Sequence, residues 1–204
     1  MPTAEFHQLS PGISIWQNYD SSVKADLFST AIQTTSGICL IDPIPLSELQ
    51  FGQLFTSTPI LGIVVTNANH QRSARAYSER LAAPIFAHAD TFPEPGPPRL
   101  IQVTNTSGIE DAFEIIEIEG AVSGEIALYH PPNGGTLIVG DALINLEPYG
   151  FTFLPRKYCL NEKQMRSSLR KLLTRPAERL LFAHGSPILS DATKRLEQLL
   201  NGPA

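Results

Sequence analysis

Residues 64–81 read VVTNANHQRSARAYSERL, a passage from a β-branched run into an amphipathic helix across two asparagines, a histidine and an arginine. Upstream, ILGIVV (60–65) is a continuous apolar run before Thr66, the pattern of a strand covered on both faces. Downstream, Ala74, Tyr77 and Leu81 recur at helical spacing. A buried strand that ends in polar side chains holds them on a rigid support and leaves them reachable.

Two more junctions of this kind lie further along: GDALI, beginning at Gly140 after TLIV, and AHGSP, beginning at Ala183 after RLLF. The segments between them complete the pattern. ISIWQNY, ADLFSTAIQT and GICLIDP read as antiparallel strands, with a turn at TSG between the second and third, and Ser47 caps a short helix opened by Glu48. APIFAH is a strand, followed by a stiff loop containing Pro93, Pro95, Pro97 and Pro98. DAFEIIEIEG and GEIALYH pair, and PPNGG turns the chain into TLIVGDALI. Asn161 and Gln164 begin a helix with Met165, Leu169 and Leu172 on one stripe, and a final helix carries Leu189, Ala192, Leu196 and Leu199 up to Gly202. Helices recur in both halves among a larger number of strands. Two sheets packed face to face, each covered outside by helices, bury all these apolar faces. The expectation is an α/β protein, an αββα sandwich forming one domain over 1–204.

Composition narrows the functions. A net charge of −5 offers no general attraction to nucleic acid or anionic lipid. No apolar stretch approaches the roughly 20 residues of a membrane-spanning helix, and the amino terminus lacks the pattern of a secretory signal. Cys39 and Cys159 are too few to staple such a scaffold and lie outside any CxxC spacing, so a reducing cytoplasm is expected. Ten of the fifteen Lys and Arg fall within 156–195, which reads as the solvated side of two helices. No nucleic-acid or membrane partner is expected. A homodimer through sheet edges or outer helices is compatible with the pattern.

The three strand ends together suggest metal chemistry. Asp141 offers a carboxylate, while His184 and His70 offer imidazoles, all ordinary ligands for zinc, manganese or iron. Three such ligands leave a position open for water, whose pKa a divalent ion lowers. Asn67, Asn69 and Gln71 are far poorer ligands, and Arg72 repels an ion, favouring an anionic ligand or an internal salt bridge. His88 reads as a cap or surface residue, His7 and His130 as structural or exposed, and Trp16 as core.

In order and spacing, GICLIDP, VVTNANHQRSA, EGAVSGEIALY, TLIVGDALI and LLFAHGSP resemble the metallo-β-lactamase superfamily along essentially the whole chain. The resemblance implies the same αββα sandwich and a dinuclear metal centre. Laid on the family's Thr-His-x-His-x-Asp-His segment, the first two histidines fall on Asn67 and Asn69, the aspartate on Gln71 and the last histidine on Arg72; the later Gly-His-Ser-x-Gly histidine falls on Ala121. Only the bridging aspartate, at Asp141, and the last histidine, at His184, persist. His70 stands where the family accepts any residue.

Two functions follow. In the first, His70, Asp141 and His184 hold at most one divalent ion and hydrolyse a small ester, thioester or phosphoester, with Asp141 and His184 as the catalytic residues. In the second, the cleft is non-catalytic: Asn67, Asn69, His70 and Arg72 bind a small anionic molecule, or the chain is a scaffold.

Overall fold

The computed structural model describes residues 4–55, 58–109 and 112–202; the remaining positions of the expected 1–204 domain lie outside the described residues. Seven strands form one sheet in chain order: β1 (Glu5–Ser10), β2 (Ile13–Asp20), β3 (Ala25–Gln33), β4 (Ile38–Ile41), β5 (Ile60–Val65), β6 (Ile85–Ala87) and β7 (Leu100–Gln102). The first four pair antiparallel, and β4 through β7 run parallel. Helix α1 (Glu48–Phe55) connects β4 to β5, and α2 (Ala74–Leu81) connects β5 to β6.

The chain continues through β8 (Gly108–Ile109), β9 (Phe113–Glu117), β10 (Ile126–His130) and β11 (Thr136–Val139). A separate ribbon, β12 (Leu143–Leu146) with β13 (Gly150–Phe153), precedes α3 (Glu162–Leu169), β14 (Arg179–Phe182) and α4 (Ala192–Asn201). The second sheet has the order β14-β11-β10-β9-β8, with β14 parallel to β11.

Strand periodicity divides the apolar residues among three layers. Cys39, Ile41, Val64, Ile138 and Leu181 point between the sheets, where they meet Ile13, Ile115, Ile126 and Leu128. Their neighbours Leu40, Ile63 and Val65 point outward to Phe51, Phe55 and Tyr77. On the opposite side, Leu137, Val139, Leu180 and Phe182 pack against Met165, Leu169, Leu196 and Leu200. The αββα sandwich is thus the arrangement that covers every apolar face. Trp16 belongs to the core as expected, its Nε1 donating to Ile44 O at 3.2 Å.

Local signals act as their chemistry requires. Ser47 and Gln50 form a reciprocal cap, Gln50 N donating to Ser47 Oγ at 3.2 Å and Ser47 N to Gln50 Oε1 at 3.3 Å. Asn161 Oδ1 accepts from Gln164 N at 3.1 Å. The basic stretch is laced to acids, with Arg166 on Glu162 and Lys171 on Glu119. Leu189 departs from the helical stripe: it precedes α4 and is exposed. Among the described residues no helix is long and apolar enough to cross a membrane.

Candidate metal centre

Strands β4 and β5 are parallel neighbours, so Asp42 and Thr66 emerge side by side at one end of the first sheet. Asp42 takes a left-handed backbone, φ 48°, and its carboxylate turns onto the next strand end. Thr66 N donates to Oδ1 at 2.8 Å, Thr66 Oγ1 donates to Oδ2 at 2.6 Å, and His70 Nδ1 lies 3.0 Å from Oδ2. Asn67 caps a one-turn 3-10 helix, Ala68–His70, its Oδ1 accepting from Asn69 N at 2.9 Å. That turn aims His70 inward, where it is buried.

The second sheet supplies the other two residues. Asp141 follows β11 and His184 follows β14, again parallel neighbours. His70 Nε2 lies 3.1 Å from Asp141 Oδ1 and 3.3 Å from His184 Nε2, and His184 Nε2 lies 3.4 Å from Asp141 Oδ1. The three form the one group of metal-ligating side chains found among the described residues, with every donor within 4.8 Å of the others. The main chain beside His184 is fixed by the ribbon: His184 O accepts from Asn145 N at 3.2 Å, and Ser186 N donates to Asn145 O at 3.1 Å. Gly185 between them has φ +101°, and a Cβ there would run into the Asn145 carbonyl.

Charge is distributed unevenly over these groups. Burial disfavours the imidazolium of His70, but the Asp42 and Asp141 carboxylates outweigh it and raise its pKa from 6.5 to about 9. Burial also opposes the charge on Asp42 and Asp141, yet His70 holds both carboxyls below the usual range. His184 goes the other way, to about 4, through burial and the neighbouring His70 cation. Glu125 is buried nearby and pushed up to about 8, by burial first and by Asp141 second.

The remaining polar residues of the opening stretch are dispersed. Asn69 is exposed and reaches Asp141, its Nδ2 donating to Oδ2 at 3.0 Å. Asn67 is buried and its Nδ2 donates to Glu125 Oε2 at 2.7 Å. Gln71 donates to Thr91 O at 2.8 Å. Arg72 directs its guanidinium at main-chain carbonyls, Phe28 O at 2.5 Å, Asp42 O at 2.9 Å and Ala183 O at 3.4 Å. Ala121 is fully buried in the second sheet's outer core. Of the other histidines, His88 caps the turn at Asp90 N, His130 bonds Ala112 O, and His7 is half-exposed.

The donor set fits a divalent ion. Ligands about 2.1 Å from an ion are about 3.4 Å apart in a tetrahedron and about 3.0 Å apart in an octahedron. The triangle of His70 Nε2, His184 Nε2 and Asp141 Oδ1, with edges of 3.1, 3.3 and 3.4 Å, falls within that range. Asp42 behind His70 Nδ1 is the carboxylate that commonly backs a metal-binding imidazole.

Asp42 and Glu125 are the members that motif reading passes over. Asp42 is the acid closing GICLID, and Glu125 is the acid opening EIALY. An acid at the end of an apolar run is a signal, because a buried carboxylate needs partners.

Comparison with known proteins bears on the family. The model of the metallo-beta-lactamase superfamily matches residues 7–202. A metallo-beta-lactamase from Pontibacter korlensis superposes with a TM-score of 0.77 at 17% identity, covering 98% of this chain and 100% of that one. The DIM-1 metallo-beta-lactamase gives 0.76 at 14% identity, covering 98% and 97%. FIM-1 from Pseudomonas aeruginosa, in its mono-zinc form, gives 0.76 at 11% identity, covering 97% and 95%. No curated protein matches the chain. Identities this low speak for the fold alone, while the family model spans nearly the whole sequence and the site is an incomplete one of three candidate ligands, His70, Asp141 and His184. The chain belongs to the metallo-beta-lactamase superfamily, as a divergent member that lacks most of its metal ligands.

Proposed function

We propose that this protein is a one-metal hydrolase of a small ester, thioester or phosphoester. The observation that supports it is the triangle of Asp141 Oδ1, His184 Nε2 and His70 Nε2, whose edges of 3.1 to 3.4 Å suit a single divalent ion. Such an ion supplies Lewis acidity toward a carbonyl or phosphoryl oxygen and acidifies water.

The chain's own groups do the rest. Asp42 fixes the His70 ring and keeps its Nε2 toward the site. Asp141 contributes the negative charge of the set, and His184, at 17% side-chain exposure, is its most accessible member and the edge at which a substrate arrives. Access through one partly exposed imidazole favours a small substrate. A non-catalytic anion site draws less support, because the Arg72 donors are engaged by the carbonyls of Phe28, Asp42 and Ala183. The cytoplasm is the proposed compartment.

Elemental analysis by plasma mass spectrometry, on protein purified without a histidine tag or chelator, tests the centre. About one zinc, manganese or iron per chain, lost in Asp141→Ala, is the expected result. No ion after incubation with those metals rejects it, and a loaded protein inert toward all three ester classes rejects the hydrolase while leaving the centre.

A further inference from the structure

The two asparagines that stand in place of family histidines have work of their own in this chain. Asn69 Nδ2 donates to Asp141 Oδ2 at 3.0 Å, while Asp141 Oδ1 faces His70 and His184 at 3.1 and 3.4 Å. One oxygen of the carboxylate is therefore tied back and the other is presented to the triangle. Asn69 in turn is held by Asn67, whose Oδ1 accepts from Asn69 N at 2.9 Å. Asn67 is held by Glu125, whose Oε2 accepts from Asn67 Nδ2 at 2.7 Å. Glu125 closes the circuit, because its Oε1 accepts from Ala142 N, adjacent to Asp141, at 3.0 Å.

This ring of contacts is closely packed. A Cβ on Gly140 would stand 2.6 Å from Thr66 Oγ1 and 2.8 Å from both Asn67 Nδ2 and Glu125 Oε1. A histidine at 67 would not reproduce the contacts, because Asn67 needs a carbonyl oxygen for Asn69 N and an amide hydrogen for Glu125 at one side-chain length.

We infer that Asn69, set in place by Asn67 and Glu125, is a positioning residue that makes Asp141 a one-oxygen ligand, so that the amides rebuild the centre around a single ion. The inference rests on the one-metal reading above. It assigns Asn67 and Asn69 to orienting a ligand, and it explains how Asp141, with no second ion to bridge, keeps a defined orientation.

Cobalt(II) titration of the metal-free full chain tests it, followed by visible absorption, whose band positions and intensities report the number of ligands around the ion. Asn69 is exposed, so Asn69→Ala removes one donor without opening a buried cavity. The expected result is one cobalt per chain in the wild type, roughly tenfold to a hundredfold weaker binding in Asn69→Ala, and an altered band pattern as both Asp141 oxygens become available. Glu125→Gln should weaken binding in the same direction, and the double variant should be no worse than the weaker single one, since both substitutions cut one circuit. Wild-type affinity and spectrum in Asn69→Ala overturn the positioning role and leave the one-metal centre standing. Fully additive losses overturn the link through Asn67. A wild type that takes up no cobalt overturns the centre and the inference together.

Discussion

His70 Nδ1 stands 3.0 Å from Asp42 Oδ2, both side chains buried, and that contact leaves Nε2 as the nitrogen facing Asp141 and His184. The first sheet thereby supplies a ligand to a centre whose other two members come from the second sheet.

Asp42→Asn should damage both fold and centre. The amide brings a donor against the Thr66 and His70 donors and leaves the charge of His70 short of a partner. A loss of about 3–5 kcal/mol is expected for breaking a buried pair, read by denaturant unfolding of the metal-free protein. Unchanged stability would dismiss the contact.

The metal-free protein should lose stability in mild alkali. The folded-state pKa of His70, about 9, lies above its ordinary 6.5. Its charge therefore stabilises the fold fully below pH 6.5, and this contribution disappears as pH rises through about 9, ~3 kcal/mol in all. His184, lowered to about 4, acts in the opposite sense: it must be neutral in the fold, so stability falls as pH drops from 6.5 toward 4. Glu125, raised from 4.5 to about 8, offsets the His184 effect between 4.5 and 6.5 and adds to the alkaline loss. Unfolding midpoints should therefore be nearly level up to about 6.5 and fall above it, and midpoints unchanged from 6.5 to 9 would count against the His70 assignment.

Metal uptake should show the converse dependence. An ion on His70 Nε2 displaces the proton that Asp42 and Asp141 retain there, so apparent affinity should climb with pH toward about 9. Competition with a chelator of known proton affinity measures this. Affinity independent of pH between 7 and 9 would remove His70 from the ligand set.

Arg72→Ala should act on stability. Three main-chain carbonyls from separate segments lose a charged donor, at a cost of about 3 kcal/mol. Arg72→Lys should restore little, because a single ammonium cannot span the fork. A stable Arg72→Ala protein that had lost affinity for a small anion would revive the binding-site reading.

Much of the sandwich can be read from sequence because its central strands are apolar on both faces and give way within two residues to polar ones, Thr66 after β5, Asp141 after β11 and His184 after β14. Edge elements give no such signal. β1 mixes exposed and half-buried residues without regular alternation, β7 has three residues after the proline loop, and β12 follows β11 so closely that TLIVGDALI reads as one element. Asp141, His184 and His70 are recognisable by residue type. Asp42 and Glu125 matter through what they accept hydrogen bonds from, a relation between strands that a linear reading does not contain.

The ribbon that grips the main chain around His184 has an evolutionary corollary. With a positive φ and no room beside the Asn145 carbonyl, position 185 admits glycine and little else. A single methyl group acquired there would displace His184 while every ligand codon stayed intact. Lineages that keep His184 in use must therefore also keep its silent neighbour, and a library built only on ligand positions would miss the substitution that most cheaply switches the centre off.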